Sequence, residues 1–219
     1  QAKKLLKNIK NDAEKAALES IFEHQPYIEN YAATTRSHFI PQLRNKMGIS
    51  EKGLLAVGAK VECYDNSNFA GKEAVGAMTA LVKTATSWQP DKNSYRKFRI
   101  KSTPTRDDPR MIGELITRRL NHPEWPYPDL IIIDGGLTQF RAAKRALASS
   151  KFNVLSSKVR VISLAKPHKL VYGIRDNDIP TPLLELSKEL QELIERSIYQ
   201  THNFVIKYHR QVRNKQFLL

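Results

Sequence analysis

Two aspartates each stand where a run of strand-like residues gives out. Asp65 comes after Val61-Glu62-Cys63-Tyr64, and Asp134 after Leu130-Ile131-Ile132-Ile133. In sheets containing parallel strands, ligands gather outside the carboxyl ends of the strands, so two neighbouring strands ending this way bring two carboxylates to one rim. Carboxylate oxygens are hard donors and suit Mg²⁺ or Mn²⁺. The plainer reading is local: an Asp ahead of Asn66-Ser67, or ahead of Gly135-Gly136, routinely caps the adjoining turn. Taken singly, each aspartate is explained that way; the pair, in one sheet of a basic chain, makes the case for a metal site.

Other residues could complete such a site. His202 and His209 lie seven positions apart in the last helical stretch, near one face, although a lone histidine on a helix needs no ligand to explain it. Lys207, Arg210, Arg213 and Lys215 form a basic cluster that fits phosphate contacts or a solvated helix end. Lys166 and His168, beyond the strand ending at Leu164, would reach a scissile phosphate if that strand adjoins the rim, and surface exposure explains them equally. Asp107 and Asp108 add carboxylates, but N-capping accounts fully for their place at a helix start. Asp134-Gly135-Gly136 ahead of a helix suggests an anion site; no Gly-Lys-Ser/Thr comes after it, which argues against a nucleotide-binding loop.

The elements that must hold these groups emerge from periodicity. Val61 to Asp65 alternates like a strand and is expected to stop in Asn66-Ser67-Asn68. Ala74 to Val82 and Ser94 to Ile100 resume strand character on either side of the turn formers Gln89-Pro90-Asp91-Lys92-Asn93, so three strands with short connections predict an antiparallel meander. Asp107-Asp108-Pro109 starts a helix carrying Met111, Leu115, Ile116 and Leu120. Leu130 to Ile133, apolar throughout, reads as a strand covered on both faces. Next come a helix from about Leu137 to Ala148, a strand over Val159 to Leu164, a small strand or hairpin within Lys169 to Ile174, and a mostly helical stretch from Pro182 to about Lys215. The expected fold is therefore α/β, a mixed sheet of three antiparallel strands and then alternating helices and strands. Before it, apolar residues from Leu5 to Ile21 recur at helical spacing, and Pro26, Pro41, Gly48 and Gly53 interrupt the stretch between that helix and the core. Residues 1–58 thus read as a helical extension and connector, and 59–219 as the core domain.

Composition narrows the partner. The 219 residues hold 36 Lys+Arg against 22 Asp+Glu, a formal net charge of +14, which favours a polyanion through counterion release and puts nucleic acid ahead of anionic membrane. No apolar run approaches a membrane span. The single cysteine, Cys63, excludes a disulfide framework and a cysteine-rich zinc site, and a reducing cytoplasm is the default. The opening Gln1-Ala2-Lys3-Lys4 reads as the start of an excised fragment.

Three blocks resemble the UvrC family. Val61-Glu62-Cys63-Tyr64-Asp65-Asn66-Ser67 with Gly71 is similar to the family's first catalytic strand, with Tyr64 for Phe and Asn66 for Ile. Tyr95 to Lys101, Asp107-Asp108, Glu114 to Arg119 and Pro128 to Gly136 form the second block. Val161 to Lys166 and His202 to Arg210 form the third. Together they span roughly residues 60 to 215, and the first 58 residues match poorly. The resemblance implies an RNase H-like endonuclease domain that incises DNA on the 5′ side of a lesion, after UvrA and UvrB have handled the damage, in nucleotide-excision repair and the SOS response. It implies Asp65 and Asp134 as metal-binding carboxylates, His202 as the third member of an Asp-Asp-His site, and Asp107 and Lys166 as supporting residues. It also implies double-stranded DNA with a lesion as substrate, UvrB as partner and Mg²⁺ or Mn²⁺ as cofactor.

The family's helix-hairpin-helix module, its GIY-YIG nuclease and its UvrB-binding segment are not recognisable, so the chain is expected to make at most one of the two repair cuts. Two competing readings share the scaffold: a nucleic-acid-binding or docking module without activity, and a nuclease for branched DNA.

Overall fold

The computed structural model describes residues 56–69, 73–101, 107–149, 159–174 and 178–216, with 67–69, 73–74 and 209–216 described by backbone only. The chain divides into two units, Gln1–Ser50 and Glu51–Leu219, and every described residue belongs to the second. The helix expected over Ala2 to Phe22, and Gly71, lie outside the described residues.

Strands β1 (Lys60–Phe69) and β2 (Glu73–Lys83) form an antiparallel hairpin. The turn expected at Asn66-Ser67-Asn68 is not there: β1 continues to Phe69 because β2 goes on pairing with it, Asn66 against Gly76 and Ser67 against Val75. Turn-forming residue types yielded to a ladder that satisfies the backbone. The third position of the meander is shared by β3 (Trp88–Pro90) and β4 (Arg96–Arg99), both antiparallel to β2, with a 3₁₀ turn over Lys92–Ser94 between them.

Helix α1 (Asp108–Leu120) leads to β5 (Leu130–Asp134), α2 (Leu137–Ala148) and β6 (Arg160–Ala165). β1, β5 and β6 are parallel neighbours. Beyond them β7 (Leu170–Tyr172) and β8 (Thr181–Pro182) extend the sheet antiparallel, and α3 (Lys188–Gln216) closes the described chain. The order is β3-β2-β1-β5-β6-β7-β8, with β4 also on β2, which is the expected mixed sheet of an α/β fold.

Alternation along the strands sorts side chains into two layers. Tyr64, Ile131 and Ile133 pack under α1 and α2 with Ile112, Leu115, Ile116 and Leu147. The opposite face, carrying Cys63 and Ile132, lies under α3, whose Leu190, Leu193, Ile194, Ile198 and Val205 are buried. Each such buried aliphatic side chain contributes roughly 1.5–3 kcal/mol. The continuous apolar run of β5 is the consequence: Leu130 to Ile133 are fully buried because both faces are covered.

Two features tie helices to the sheet. At Gly76 on β2 the side chain of Leu115 comes so close that an added Cβ would stand 2.4 Å from it. Under α1, the fully buried Glu62 receives Arg119 through Nε at 3.1 and 3.0 Å and Nη2 at 2.9 Å, and the Tyr64 hydroxyl donates to it at 2.7 Å. Arg119 Nη2 also donates to the Pro126 carbonyl at 2.8 Å.

Candidate functional site

The parallel register sets the geometry. Tyr64 is paired with Ile133, so Asp65 and Asp134, one step further on adjacent strands, stand side by side. By alternation both project from the α3 face, not into the α1–α2 core. Asp65 is not the end of β1 but the point at which β5 lets go of it, since the β1–β5 pairing ends one residue earlier while the β1–β2 ladder continues. The two carboxylates therefore mark the C-terminal rim of the parallel part of the sheet.

Helix α3 crosses this rim and brings His202, whose Nδ1 is 3.5 Å from Asp65 Oδ2; the histidine side chain is 57% exposed and the aspartate 13%. Next door, Asp134 pairs with Leu164 of β6, so the turn beyond β6 carries Lys166 back to the rim, where Nζ donates to Asp134 Oδ2 at 2.9 Å. Asp65, Asp134, Lys166 and His202 line one cavity of about 300 Å³, with Val205 and Ile206 of α3 as its apolar lip.

Electrostatics at the rim are unbalanced. Burial, and then the neighbouring charge of Asp134, push the Asp65 carboxyl up to about 6, against a smaller pull downward from His202 and Lys166. A group sitting two residues earlier responds to burial in the same direction: the Cys63 thiol lies beneath the rim, hydrogen-bonded to Thr201, and burial holds it protonated. It packs where Thr201 of α3 meets Thr79 of β2, hydroxyl to hydroxyl at 2.6 Å.

The structure separates the remaining candidates. Asp107 caps α1, accepting from the Arg110 N–H at 3.1 Å, whereas its neighbour Asp108 lines the cavity and accepts from Asn66 Nδ2 at 3.2 Å. Gly135 and Gly136 offer no open cradle for an anion: Gly135 N–H donates to the Leu164 carbonyl at 3.1 Å and Gly136 N–H to Gln139 Oε1 at 3.1 Å. His168 is exposed in the turn after β6 and does not line the cavity. Lys207 is exposed on α3 and lines a second, larger groove beside the site. Arg210 and Arg213 continue α3, with side chains outside the described residues, as are those of His209 and Lys215.

Sequence reasoning did not find Asn66 or Gln139, which complete the lining. Asn66 looked like a turn former, and Gln139 is placed by its cap on Gly136, a spacing that signals a helix start rather than a site. Among the described residues, no three His, Cys, Asp or Glu side chains converge closely enough to enclose an ion, and no helix is long and apolar enough to cross a membrane.

Residues 52–206 match the family model described as the UvrC RNase H endonuclease domain. The UvrABC system protein C of Caldicellulosiruptor saccharolyticus is 33% identical over 219 residues, covering 98% of this chain and 33% of its own length. That of Fusobacterium nucleatum is 34% identical over 167 residues, covering 76% of this chain and 27% of its own. The chain thus spans a third or less of these curated relatives. The first of these alignments runs through nearly the whole chain, whereas the family model begins at residue 52. Among solved structures, human ENDOV (15% identity, TM-score 0.35, covering 62% of this chain and 54% of its own) and Ciona intestinalis endonuclease V with inosine-containing DNA (19%, 0.33, 64% and 58%) are similar only loosely.

Proposed function

From the premise that the chain belongs to the UvrC RNase H endonuclease domain family, we propose that it hydrolyses a DNA phosphodiester with a divalent metal ion, Mg²⁺ or Mn²⁺, held by Asp65 and Asp134. The observation that carries the reading is the pairing of these two carboxylates on adjacent parallel strands, under a histidine delivered by α3. The Asp65 carboxyl is raised first by burial and then by the Asp134 carboxylate beside it, and a cation between the two offsets both penalties. The two carboxylates fit: they are hard oxygen donors, and Mg²⁺ commonly takes only one or two carboxylates, leaving its other positions to water and substrate oxygens. When bound, the ion supplies charge neutralisation at the phosphate and a more acidic water.

The chain's own groups do the rest. Asp65 and Asp134 orient the site and keep it anionic. Lys166, bonded to Asp134, stands in for positive charge at the rim and on substrate binding is available to a phosphate oxygen. His202 faces Asp65 through Nδ1, which leaves Nε2 as the nitrogen to meet substrate and carry a proton at the leaving oxygen. Basic side chains on the same side, Lys207 among them and Arg210 and Arg213 further along α3, hold DNA by its backbone, so little sequence preference is expected. We place the substrate as double-stranded DNA bearing a lesion, the cut on its 5′ side, and UvrB, with UvrA upstream, as the partners that present it in the bacterial cytoplasm.

The test is Mn²⁺-dependent nicking of a lesion-bearing duplex with a pre-made 3′ nick, comparing the chain with an equally folded Asp134→Asn variant. Cutting by the unaltered chain alone supports the reading. If neither cuts but Mn²⁺ binds with an affinity that Asp134→Asn lowers at least tenfold, the site stands and requires its partners. If no Mn²⁺ binds, the non-catalytic binding module replaces it. Preference for four-way junctions over the lesion duplex would favour a branched-DNA nuclease.

A further inference from the structure

Helix α3 has a second functional side. His202, Val205 and Ile206 face the carboxylate rim, while Asn203, Phe204 and Lys207 of the same turns line a groove of about 740 Å³ between α3 and the β3–β4 margin. Its opposite wall carries Lys92, Tyr95, Arg96 and Lys97. Among its lining residues there are four cations and no carboxylate, although the molecule around it holds many acidic groups.

The groove also contains aromatic rings in a fixed arrangement. Tyr95 and Phe204 meet edge to face with centroids 5.1 Å apart, and the Tyr95 hydroxyl donates to Gln200 Oε1 at 3.1 Å, which pins that ring. Lys97 Nζ lies 5.2 Å from the Phe204 centroid and 4.4 Å from that of Tyr208. Arg96 is held by its own contacts, donating to the Asn93 carbonyl at 2.6 Å and lying 4.4 Å from the Trp125 ring centroid.

Cations alone would track any nucleic acid backbone. Rings recessed between cations ask for more, because in an intact duplex the base faces are buried in the stack and cannot reach them. Aromatic side chains in a positively charged groove are the usual means of holding unpaired bases without regard to sequence. The two cavities share α3, on which Asn203, Phe204 and Lys207 stand among His202, Val205 and Ile206, so the groove borders the rim.

We propose that this groove binds an unpaired segment of DNA next to the bond presented to Asp65 and Asp134, with bases on Phe204 and Tyr95 and phosphates on Lys92, Lys97 and Lys207. The assignment rests on the nuclease reading for its purpose but not for its test. It adds a substrate feature that reading lacks: the strand to be cut is locally opened on the α3 side of the cut.

The experiment is fluorescence anisotropy with the 219-residue chain in EDTA, which removes divalent ions and hence cleavage, using labelled dT12 and a 12-base-pair duplex as probes. Phe204→Ala is expected to weaken dT12 binding by about five- to a hundredfold, the range of one lost base stack, and duplex binding by less than twofold. Phe204→Leu, which keeps an apolar group against Tyr95, guards against misfolding: it should retain the melting temperature while losing most of the same affinity. Lys97→Gln should lower the salt dependence of dT12 binding by about one phosphate equivalent. Equal losses for dT12 and duplex in Phe204→Leu, no loss of dT12 binding, or no measurable dT12 binding by the unaltered chain at low salt each overturn the proposal. Binding of dT12 in EDTA needs neither metal nor cleavage, so a failed nicking assay leaves the groove standing and a failed groove leaves the nicking assay intact.

Discussion

Asp65 illustrates how a residue proposed to hold a metal ion opposes stability. Its carboxyl is raised to about 6 by burial and by Asp134, so the folded state holds that proton more tightly than the unfolded chain does. Stability from this source is fully present below the ordinary carboxylate range, about 4, and is lost as pH rises through about 6. Asp65→Asn removes the titration, and in EDTA at pH 7.5 it should be more stable than the unaltered chain by about 1–3 kcal/mol; thermal melts at pH 4.5 and 7.5 should show the difference growing with pH. A variant that melts lower at pH 7.5 would mean that His202 and Lys166 already neutralise the pair. Millimolar Mn²⁺ should reverse the order, raising the melting temperature of the unaltered chain and leaving Asp65→Asn nearly unmoved, since a ligand stabilises only the form that binds it. On the opposite sheet face, Arg119 answers a wholly buried Glu62. Arg119→Met leaves that carboxylate without its partner and should cost about 3–5 kcal/mol, read by urea unfolding. At this scale the sequence was legible in part: strand-like runs before Asp65 and Asp134 singled them out, and the structure sets them side by side although β1 runs on past Asp65, while His202 was singled out only through the resemblance, because a helical periodicity says nothing of what a histidine faces. Asp107 and Asp108 could not be told apart, since one residue's rotation on a helix start decides which caps and which reaches the cavity.

At the scale of elements, the site depends on close approach of helix to sheet. α1 sits so near β2 that Gly76 has no room for a Cβ beside Leu115. Gly76→Val should therefore destabilise by about 1–3 kcal/mol through overpacking and shift α1, which carries Asp108; a lowered melting temperature without any change in Mn²⁺ affinity would show that α1 is not coupled to the rim. Long elements were legible: the all-apolar run of β5 and the helix from Leu137 to Ala148 lie where periodicity put them. Short ones were legible in part: the small strand expected within Lys169 to Ile174 is β7, Leu170–Tyr172, whereas β8 has two residues, too few to show a period of two, and its antiparallel attachment depends on a tertiary neighbour. β1 outran its expected end because pairing with β2 outweighed the turn preferences of Asn66 and Asn68.

For the molecule as a whole, charge and topology point to the same side. A net charge of +14 favours a polyanionic partner without saying where it would lie; the fold gathers Lys92, Arg96, Lys97 and Lys207 around one groove beside α3. Binding of dT12 to the unaltered chain should accordingly weaken with salt, with a slope of log K against log salt of about −2 to −3 for three or four phosphates; a slope near zero would remove the backbone from the account.

The strand-crossing position of α3 has one more consequence. His202 lies 137 positions after Asp65 and meets it only because the last described helix folds back over the first strand. A ribosome adding 5–20 residues per second needs roughly 7–27 s to make that intervening stretch. During the first half of that interval the nascent chain carries Asp65 alone, and during the second half both carboxylates without the histidine. The cavity at the rim therefore gains its last wall, His202 with Val205 and Ile206, only when α3 has been made and laid across the sheet.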